Sequence, residues 1–319
     1  MKEDHDIDRL FDPTFNEKDL IKSAKRKSYF RITGVSLLVS LFVIALLVLL
    51  KIQLTPYVMS NKMAAKELYY DIYGANTYVG AWNEQYKLIG SSAEAPKYKL
   101  LYDRPVYLGE VSTRLQELNI TLGNSDLAQY SYSGTRVMNF FHPALRYEKY
   151  ANDLSLLNEV NDGKIIEMAL SFDKAYTYEE VEAMLPENVT LQWSWVDAYS
   201  SDELGGMKAS NSEHASYPTT ILKEYEVPGF HSFTEAGEPL DNPVDEFLSN
   251  LDLAQDKGGS YKDEFTHIYE TLKKDNTSLT AENIEIIGVV VVGDKQQLTS
   301  LINQPYIKAS SFGAIIDLY

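Results

Sequence analysis

The chain of 319 residues contains no cysteine. That absence excludes disulfide cross-links, thiolate catalysis and Cys-ligated zinc. Secreted eukaryotic domains often rely on disulfides, so their absence points to a bacterial surface protein whose core is large enough to do without them. Basic charge is also short, with 29 Lys and Arg against 46 Asp and Glu, a net charge of −17. Such a surface is wrong for direct nucleic-acid binding, because phosphates need cations; solubility is the ordinary consequence of the acidity. Catalytic signatures are missing as well. HExxH, GxSxG, GxxxxGK[ST] and GxGxxG do not occur, and His5, His142, His214, His231 and His267 form no pair at metal spacing. No catalytic residue, metal or cofactor is therefore assigned, and enzymatic activity is not expected. Carboxylates distant in sequence can still meet as a glycosidase pair in three dimensions.

Long apolar runs are limited to one. Residues 32–50, ITGVSLLVSLFVIALLVLL, carry no charge and at helical rise span about 28 Å, the thickness of a bilayer's hydrocarbon. Six cations precede the run between residues 18 and 31 (Lys18, Lys22, Lys25, Arg26, Lys27 and Arg31), against three between 51 and 66. Basic flanks stay in the cytoplasm, so a single-pass cell-membrane protein is expected, with its N-terminus cytoplasmic and its C-terminal domain extracellular. A cleaved signal peptide is the competing reading, but its apolar core spans about 7–15 residues, and here the run is longer and begins 31 residues in. Charge is partitioned accordingly: residues 1–50 carry net +1 and the remaining 269 carry net −18.

Thr14-Phe15-Asn16-Glu17 reads as a capping box opening a helix that runs on into the span. On that helix Lys18, Lys22, Lys25 and Arg26 share one face, and Leu20, Ile21 and Ala24 the opposite one. One reading sets these cations against anionic lipid. The other makes residues 1–31 a peptide that docks a cytosolic partner, with Phe11, Phe15, Leu20 and Ile21 as apolar anchors beside the four cations. So short a tail has no core of its own, and a partner would have to supply the groove.

Beyond the run, residues 51–74 read as a helical stalk. From residue 75 Pro, Gly, Ser and Tyr punctuate short apolar stretches, which predicts a first extracellular module over 75–158. The segment 159–319 is more legible. KIIEMALSF (164–172) is a strand, Asp173-Lys174 follows, and a short Thr-capped helix over 177–185 ends at Pro186. VTLQWSWV (189–196) is the next strand, with Leu191, Trp193 and Trp195 on one face. The same grammar returns in IIGVVVV (286–292), Asp294-Lys295, a helix over 296–303, Pro305 and a last strand over 307–318. Two pseudo-repeated strand–helix–strand units suggest a duplication, and an extracellular α+β sandwich of ferredoxin-like type. Between them, residues 200–245 form a long Gly- and Pro-rich connection in which only 219–227 resembles a strand. If the exterior part senses a signal, Tyr217, Tyr225, Phe230 and His231 in this loop are the candidates; a plain irregular connection is the competing reading.

The stretch EKDLIKSAKRKSYFRITGVSLLVSLFVIALLVLL with TYVGAW resembles the N-terminal region of sigma-factor-regulator proteins of Firmicutes. IIEMALSFDKAYTYEEVEAMLPENVTLQWSWVDAY, VPGF and GVVVVGDKQQLTSLINQPYIKASSFGAIIDLY resemble that family's C-terminal domain. The resemblance implies a membrane-anchored anti-sigma factor of a Gram-positive cell, whose tail holds an extracytoplasmic-function sigma factor and whose exterior domain responds to envelope stress. The His/Cys zinc motif of better-known anti-sigma domains is absent, which leaves open whether the tail acts alone or with a second small membrane protein. The alternative functions are a membrane-tethered surface binding module and a cell-wall-acting enzyme.

Overall fold

The apolar run at residues 32–50 lies within the longest element of the described residues. Helix α1 spans Glu17–Ile72 in the computed structural model, which describes residues 17–87, 90–114, 134–211, 216–274 and 276–318. Apart from Glu17, the capping box expected at residues 14–17 lies outside the described residues. By its internal contacts the chain divides into Met1–Tyr57 and Val58–Tyr319. In the first unit every side chain of residues 32–50 is exposed, and the helix they form is long and apolar enough to cross a membrane. Pro56 lies inside α1 next to the division; lacking an N–H, it cannot donate to the Ile52 carbonyl.

In the second unit the helix becomes amphipathic. Ala65, Leu68 and Ile72 are buried at the spacing of one helix face. After Ile72 the chain turns through Gly74, Ala75 and Asn76, three consecutive residues with φ of 128°, 39° and 67°. Glycine and asparagine tolerate this region, and Ala75 presents only a methyl group to the core. Strands β1 (Thr77–Val79), β2 (Asn83–Tyr86), β3 (Ser91–Leu101) and β4 (Arg104–Arg114) follow. They form an antiparallel sheet in which β3 pairs with the other three.

Strand β5 (Asn139–Phe140) and a 3-10 turn over Asp153–Glu159 lead into β6 (Lys164–Tyr176). Helix α2 (Tyr178–Met184), β7 (Thr190–Val196) and α3 (Ser201–Met207) come next. The two-residue strands β8 (Ser210–Asn211), β9 (Ser216–Tyr217) and β10 (Leu222–Lys223) precede β11 (Gly229–His231). Helices α4 (Pro243–Lys257) and α5 (Lys262–Lys273), strand β12 (Ile286–Asp294), helix α6 (Lys295–Thr299) and strand β13 (Ile307–Asp317) complete the unit. The second sheet has the order β11-β7-β12-β6-β13, antiparallel throughout. Strand β12 therefore separates β6 from β7, and β6 separates β12 from β13, so the two strand–helix–strand segments interlock.

Both crossover helices start on reciprocal side-chain caps. Glu180 N donates to Thr177 Oγ1 at 3.2 Å while Thr177 N donates to the Glu180 carboxylate at 2.9 Å. Asp294 and Gln297 repeat the exchange at 2.9 and 2.6 Å. The Asp-Lys marks of the sequence are not equivalent: Asp294 is a helix cap, whereas Asp173 and Lys174 lie within β6. Leu191 also leaves the face expected for it. A bulge at Gln192 puts Trp193 opposite Val290 but Leu191 opposite Val291, so Leu191 packs against the helix-side core and the two tryptophans against the other face. The segment 200–245 is more ordered than its composition predicts, since Ser200 and Glu203 cap α3 in the same reciprocal way and β11 joins the sheet.

The helix-side core unites Leu68 and Ile72 of α1 with Leu170 and Phe172 of β6 and with Phe247 and Phe265 of α4 and α5. On the opposite face Trp193 and Trp195 pack edge-on to Phe140 at 6.1 and 5.2 Å. Each such fully buried side chain stabilises the fold by about 1.5–3 kcal/mol. The four-stranded and five-stranded sheets are joined by a buried ionic cluster. Lys99 of β3 donates to Glu167 of β6 and to Glu224, both at 2.8 Å. Asn76 Nδ2 and Ala314 N also donate to Glu167, at 2.8 and 2.9 Å, and Met138 N donates to Glu224 at 3.2 Å. Burial works against the Lys99 charge, but the two carboxylates outweigh it and hold the ammonium above the usual lysine range. Burial pushes Glu224 up, with Lys99 opposing. Gly313 belongs to the same arrangement, because a Cβ there would run into the Glu167 carboxylate.

Lys99→Met leaves two buried carboxylates without their cation. The expected cost is about 3–5 kcal/mol, read as a lower midpoint in urea unfolding of the full chain; a loss under 1 kcal/mol would mean that the cluster does not hold the sheets together.

Candidate functional site

Where α1 ends, four segments surround a cavity of about 450 Å³. The last turns of α1 supply Glu67, Tyr70 and Asp71. Strand β1 and the turn after it supply Tyr78, Gly80 and Trp82. Strand β11 and its continuation supply Phe230, His231, Phe233 and Glu235, and the start of α4 supplies Glu246 and Phe247. The volume lies within the range of small-ligand sites.

Local chemistry sets the walls. Edge strand β11 is held by pairing with β7, His231 opposite Trp193 and Phe230 opposite Ser194. Phe230 packs on Phe247 at 5.3 Å. The His231 ring lies against Tyr78 at 4.2 Å, and its Nε2–H donates to the Tyr70 carbonyl at 3.2 Å. A carbonyl only accepts, so Nδ1 carries the lone pair, and this buried atom has no hydrogen-bond partner. Tyr78 O–H donates to the Phe233 carbonyl at 3.1 Å, and Trp82 Nε1–H to Glu67 Oε1 at 2.7 Å. Lys97 sits over the Tyr70 ring at 5.5 Å without lining the cavity.

The lining is acidic. Glu67, Asp71, Glu235 and Glu246 contribute to it, and among the described residues no Lys or Arg does. Burial, then the charges of Glu67, Glu246 and Glu235, push the Asp71 carboxyl up to about 7. Burial pushes His231 down to about 4, partly opposed by its bond to the Tyr70 carbonyl. Among the described residues no three His, Asp or Glu side chains converge closely enough to hold one metal ion.

Of the residues singled out in the sequence, Phe230 and His231 line this cavity together. Tyr225 is partly exposed elsewhere and Tyr217 pairs with Ser210 in the β8–β9 ladder. Lys18, Leu20, Ile21, Lys22, Lys25 and Arg26 lie exposed on the first turns of α1, with the Arg26 guanidinium 5.9 Å from the Phe30 ring centre. Phe11 and Phe15 lie outside the described residues. Sequence reasoning missed Glu67, Asp71, Trp82, Glu235 and Glu246. The i,i+4 pair Glu67 and Asp71 is the one such signal legible along the chain.

The titration of Asp71 has a definite sign. A carboxyl raised from 3.8 to about 7 on folding favours the fold fully only below the unfolded value, and that contribution disappears as pH rises through 7. His231, depressed by burial, acts oppositely, its contribution being complete above 6.5 and lost as pH falls through 4. Asp71→Asn removes the first effect alone. Its gain in melting temperature is expected to grow from near zero at pH 4 to about 2–6 °C at pH 8; a gain independent of pH in calorimetry would place the carboxyl in water.

No curated protein and no solved structure matches the chain. One family model does, that of the sigma factor regulator C-terminal domain, over residues 157–314. This range starts just before β6 and ends within β13, so it takes in both interlocked segments, β11, α4 and α5. It also contains Phe230, His231, Glu235 and Glu246 of the cavity, while Glu67, Asp71 and Trp82 lie before it. A helix fit to span a bilayer thus occurs in one chain with a region, residues 157–314, that matches the sigma factor regulator C-terminal domain.

Proposed function

We propose that the chain is a membrane-anchored anti-sigma factor that works by binding rather than by catalysis. Residues 1–31 lie in the cytoplasm and sequester an extracytoplasmic-function sigma factor, alone or with a second small membrane protein. The segment 32–50 crosses the membrane, and the acidic domain lies outside, where it responds to envelope stress in a Gram-positive cell. The observation that carries this reading is the family match over residues 157–314 in a chain that also has a span-competent helix. The six cations before residue 32 support the orientation. The exposed face formed by Lys18, Lys22, Lys25 and Arg26 supports a docking role for the tail. We read β6–α2–β7 and β12–α6–β13 as a duplicated, ferredoxin-like pair, on the strength of the strand order and the two matching capped helices.

A sequestering protein works by mass action, so release requires the exterior event to weaken tail binding by ~10–100-fold. Deleting residues 1–20 is expected to raise transcription from promoters of the cognate sigma factor, and the triple change Lys22→Glu, Lys25→Glu, Arg26→Glu to cut co-purification of that factor with the full chain at least tenfold. An unaltered transcript profile in the deletion strain, with no sigma factor recovered on the intact protein, would overturn the proposal.

A further inference from the structure

The six cations before the apolar run do not share one face of α1. On an α-helix nine residues make two and a half turns. Lys27 therefore stands diametrically opposite Lys18, and Arg31 opposite Lys22. Lys18, Lys22, Lys25 and Arg26 form the face proposed for a cytosolic partner, which leaves Lys27 and Arg31 without a role in that contact. These two lie four residues apart, one above the other on the helix, about 6 Å along its axis. Both are exposed, and neither takes part in an ion pair among the described residues. Asp19 is the sole carboxylate between residues 18 and 50. Two like charges at this spacing repel and weaken a helix, and an anion lying between them turns that repulsion into two attractions.

Depth names the anion. The apolar run begins at Ile32. For a helix along the membrane normal, Arg31 then sits at the boundary of the hydrocarbon and Lys27 about 7.5 Å outside Ile32. The polar headgroup layer is about 5–8 Å thick on each side of the hydrocarbon. Side chains on a helix lean toward its N-terminus, which carries the Arg31 guanidinium away from the hydrocarbon and into that layer. Tyr29 and Phe30, 72% and 69% exposed, lie between the two cations, at the depth where aromatic rings gather on a membrane surface. Lys18 and Lys22 lie about 21 and 15 Å from Ile32, beyond the headgroups.

We infer that Lys27 and Arg31 bind the phosphates of anionic phospholipid headgroups, forming a lipid face on a helix whose opposite face, through Lys18 and Lys22, is left to the cytosol. The occupant is a lipid rather than a free anion, because a headgroup is held at this depth by its own acyl chains and the leaflet's negative potential draws cations to it. The guanidinium of Arg31 adds a planar fork of donors suited to a phosphate. The inference rests on the membrane-spanning reading of residues 32–50 and needs no sigma factor.

The full chain is reconstituted into vesicles of phosphatidylcholine with a minority of phosphatidylglycerol, of equal composition in both leaflets so that orientation does not matter. Spin-labelled phosphatidylglycerol and spin-labelled phosphatidylcholine report how much of each lipid is held at the protein surface. The unaltered chain is expected to hold phosphatidylglycerol at least about twofold more than phosphatidylcholine, a preference that shrinks at high salt. Lys27→Gln with Arg31→Gln, both compatible with a helix, is expected to remove most of the preference. Lys18→Gln with Lys22→Gln removes the same charge farther from the membrane and is expected to retain it. Inorganic phosphate at matched ionic strength should leave the bound lipid in place. The inference is overturned if Lys27→Gln with Arg31→Gln keeps the preference, if the two double variants lose it equally, which would reduce the site to diffuse charge, or if inorganic phosphate displaces the lipid. A chain that alkaline carbonate strips from the vesicles would overturn the membrane-spanning reading and this inference with it; an integrated chain with no preference overturns this inference alone.

Discussion

A single ammonium group, that of Lys99, ties the four-stranded sheet of the second unit to its five-stranded sheet. It leaves β3 of the first sheet and meets Glu167 in the second strand from the edge of the other, with Glu224 completing the cluster from the segment after β10. Desolvating one cation and two anions is expensive, and this is tolerated because the remaining oxygen valences are filled by Asn76 and by the backbone N–H groups of Ala314 and Met138. Much of the nearby architecture answers to that need. Gly313 clears space for the Glu167 carboxylate, and the left-handed turn ending at Asn76 places an amide where it can bridge Glu167 and the Leu100 carbonyl. Apolar packing supplies most of the stability on either side of the cluster, but it is non-directional; the ionic contacts fix which strand faces which.

The same left-handed turn separates two environments. On one side the end of α1 is absorbed into the helix-side core through Leu68 and Ile72. On the other, Glu67, Tyr70 and Asp71 face the acidic cavity. One short stretch of helix, at the end of the element Glu17–Ile72, thus serves both the core and the cavity wall. The region that matches the sigma factor regulator C-terminal domain contributes the other half of the cavity, from β11 to the first turns of α4.

How much of this could be read along the chain depended on whether the signal was local. The apolar run, the strands at β6, β7, β12 and β13, and the capped helices α2 and α6 are local features; each announces itself by periodicity or by a cap three residues from its partner. Details set by neighbours were not visible. The bulge at Gln192 exists because β12 lies beside β7, and it alone moves Leu191 to the opposite face from Trp193. Strand β11 is three residues long and is a strand only by virtue of the tryptophan strand it pairs with. Phe230 and His231 stood out because aromatic residues crowd that segment, whereas Glu67, Trp82 and Glu246 gain their meaning only when α1, the first sheet and α4 are brought together.

The interlocking of the two crossover segments has a temporal corollary. The central strand β12 begins at Ile286, far downstream of the starts of both its sheet partners, β6 at Lys164 and β7 at Thr190, and β13 closes the far edge only after that. Neither segment can complete its pairing from its own residues, so the sheet cannot be assembled piecemeal as the polypeptide emerges. Such non-local topologies fold slowly: β6 and β7 lack the strand that lies between them until residue 294 is available, and the outer edge of β6 stays unpaired until residue 317 is. A nascent chain of this design is therefore most vulnerable to proteases and to self-association in the interval before its last strand arrives, and it depends on chaperoning during that interval more than a protein of equal size built from consecutive hairpins.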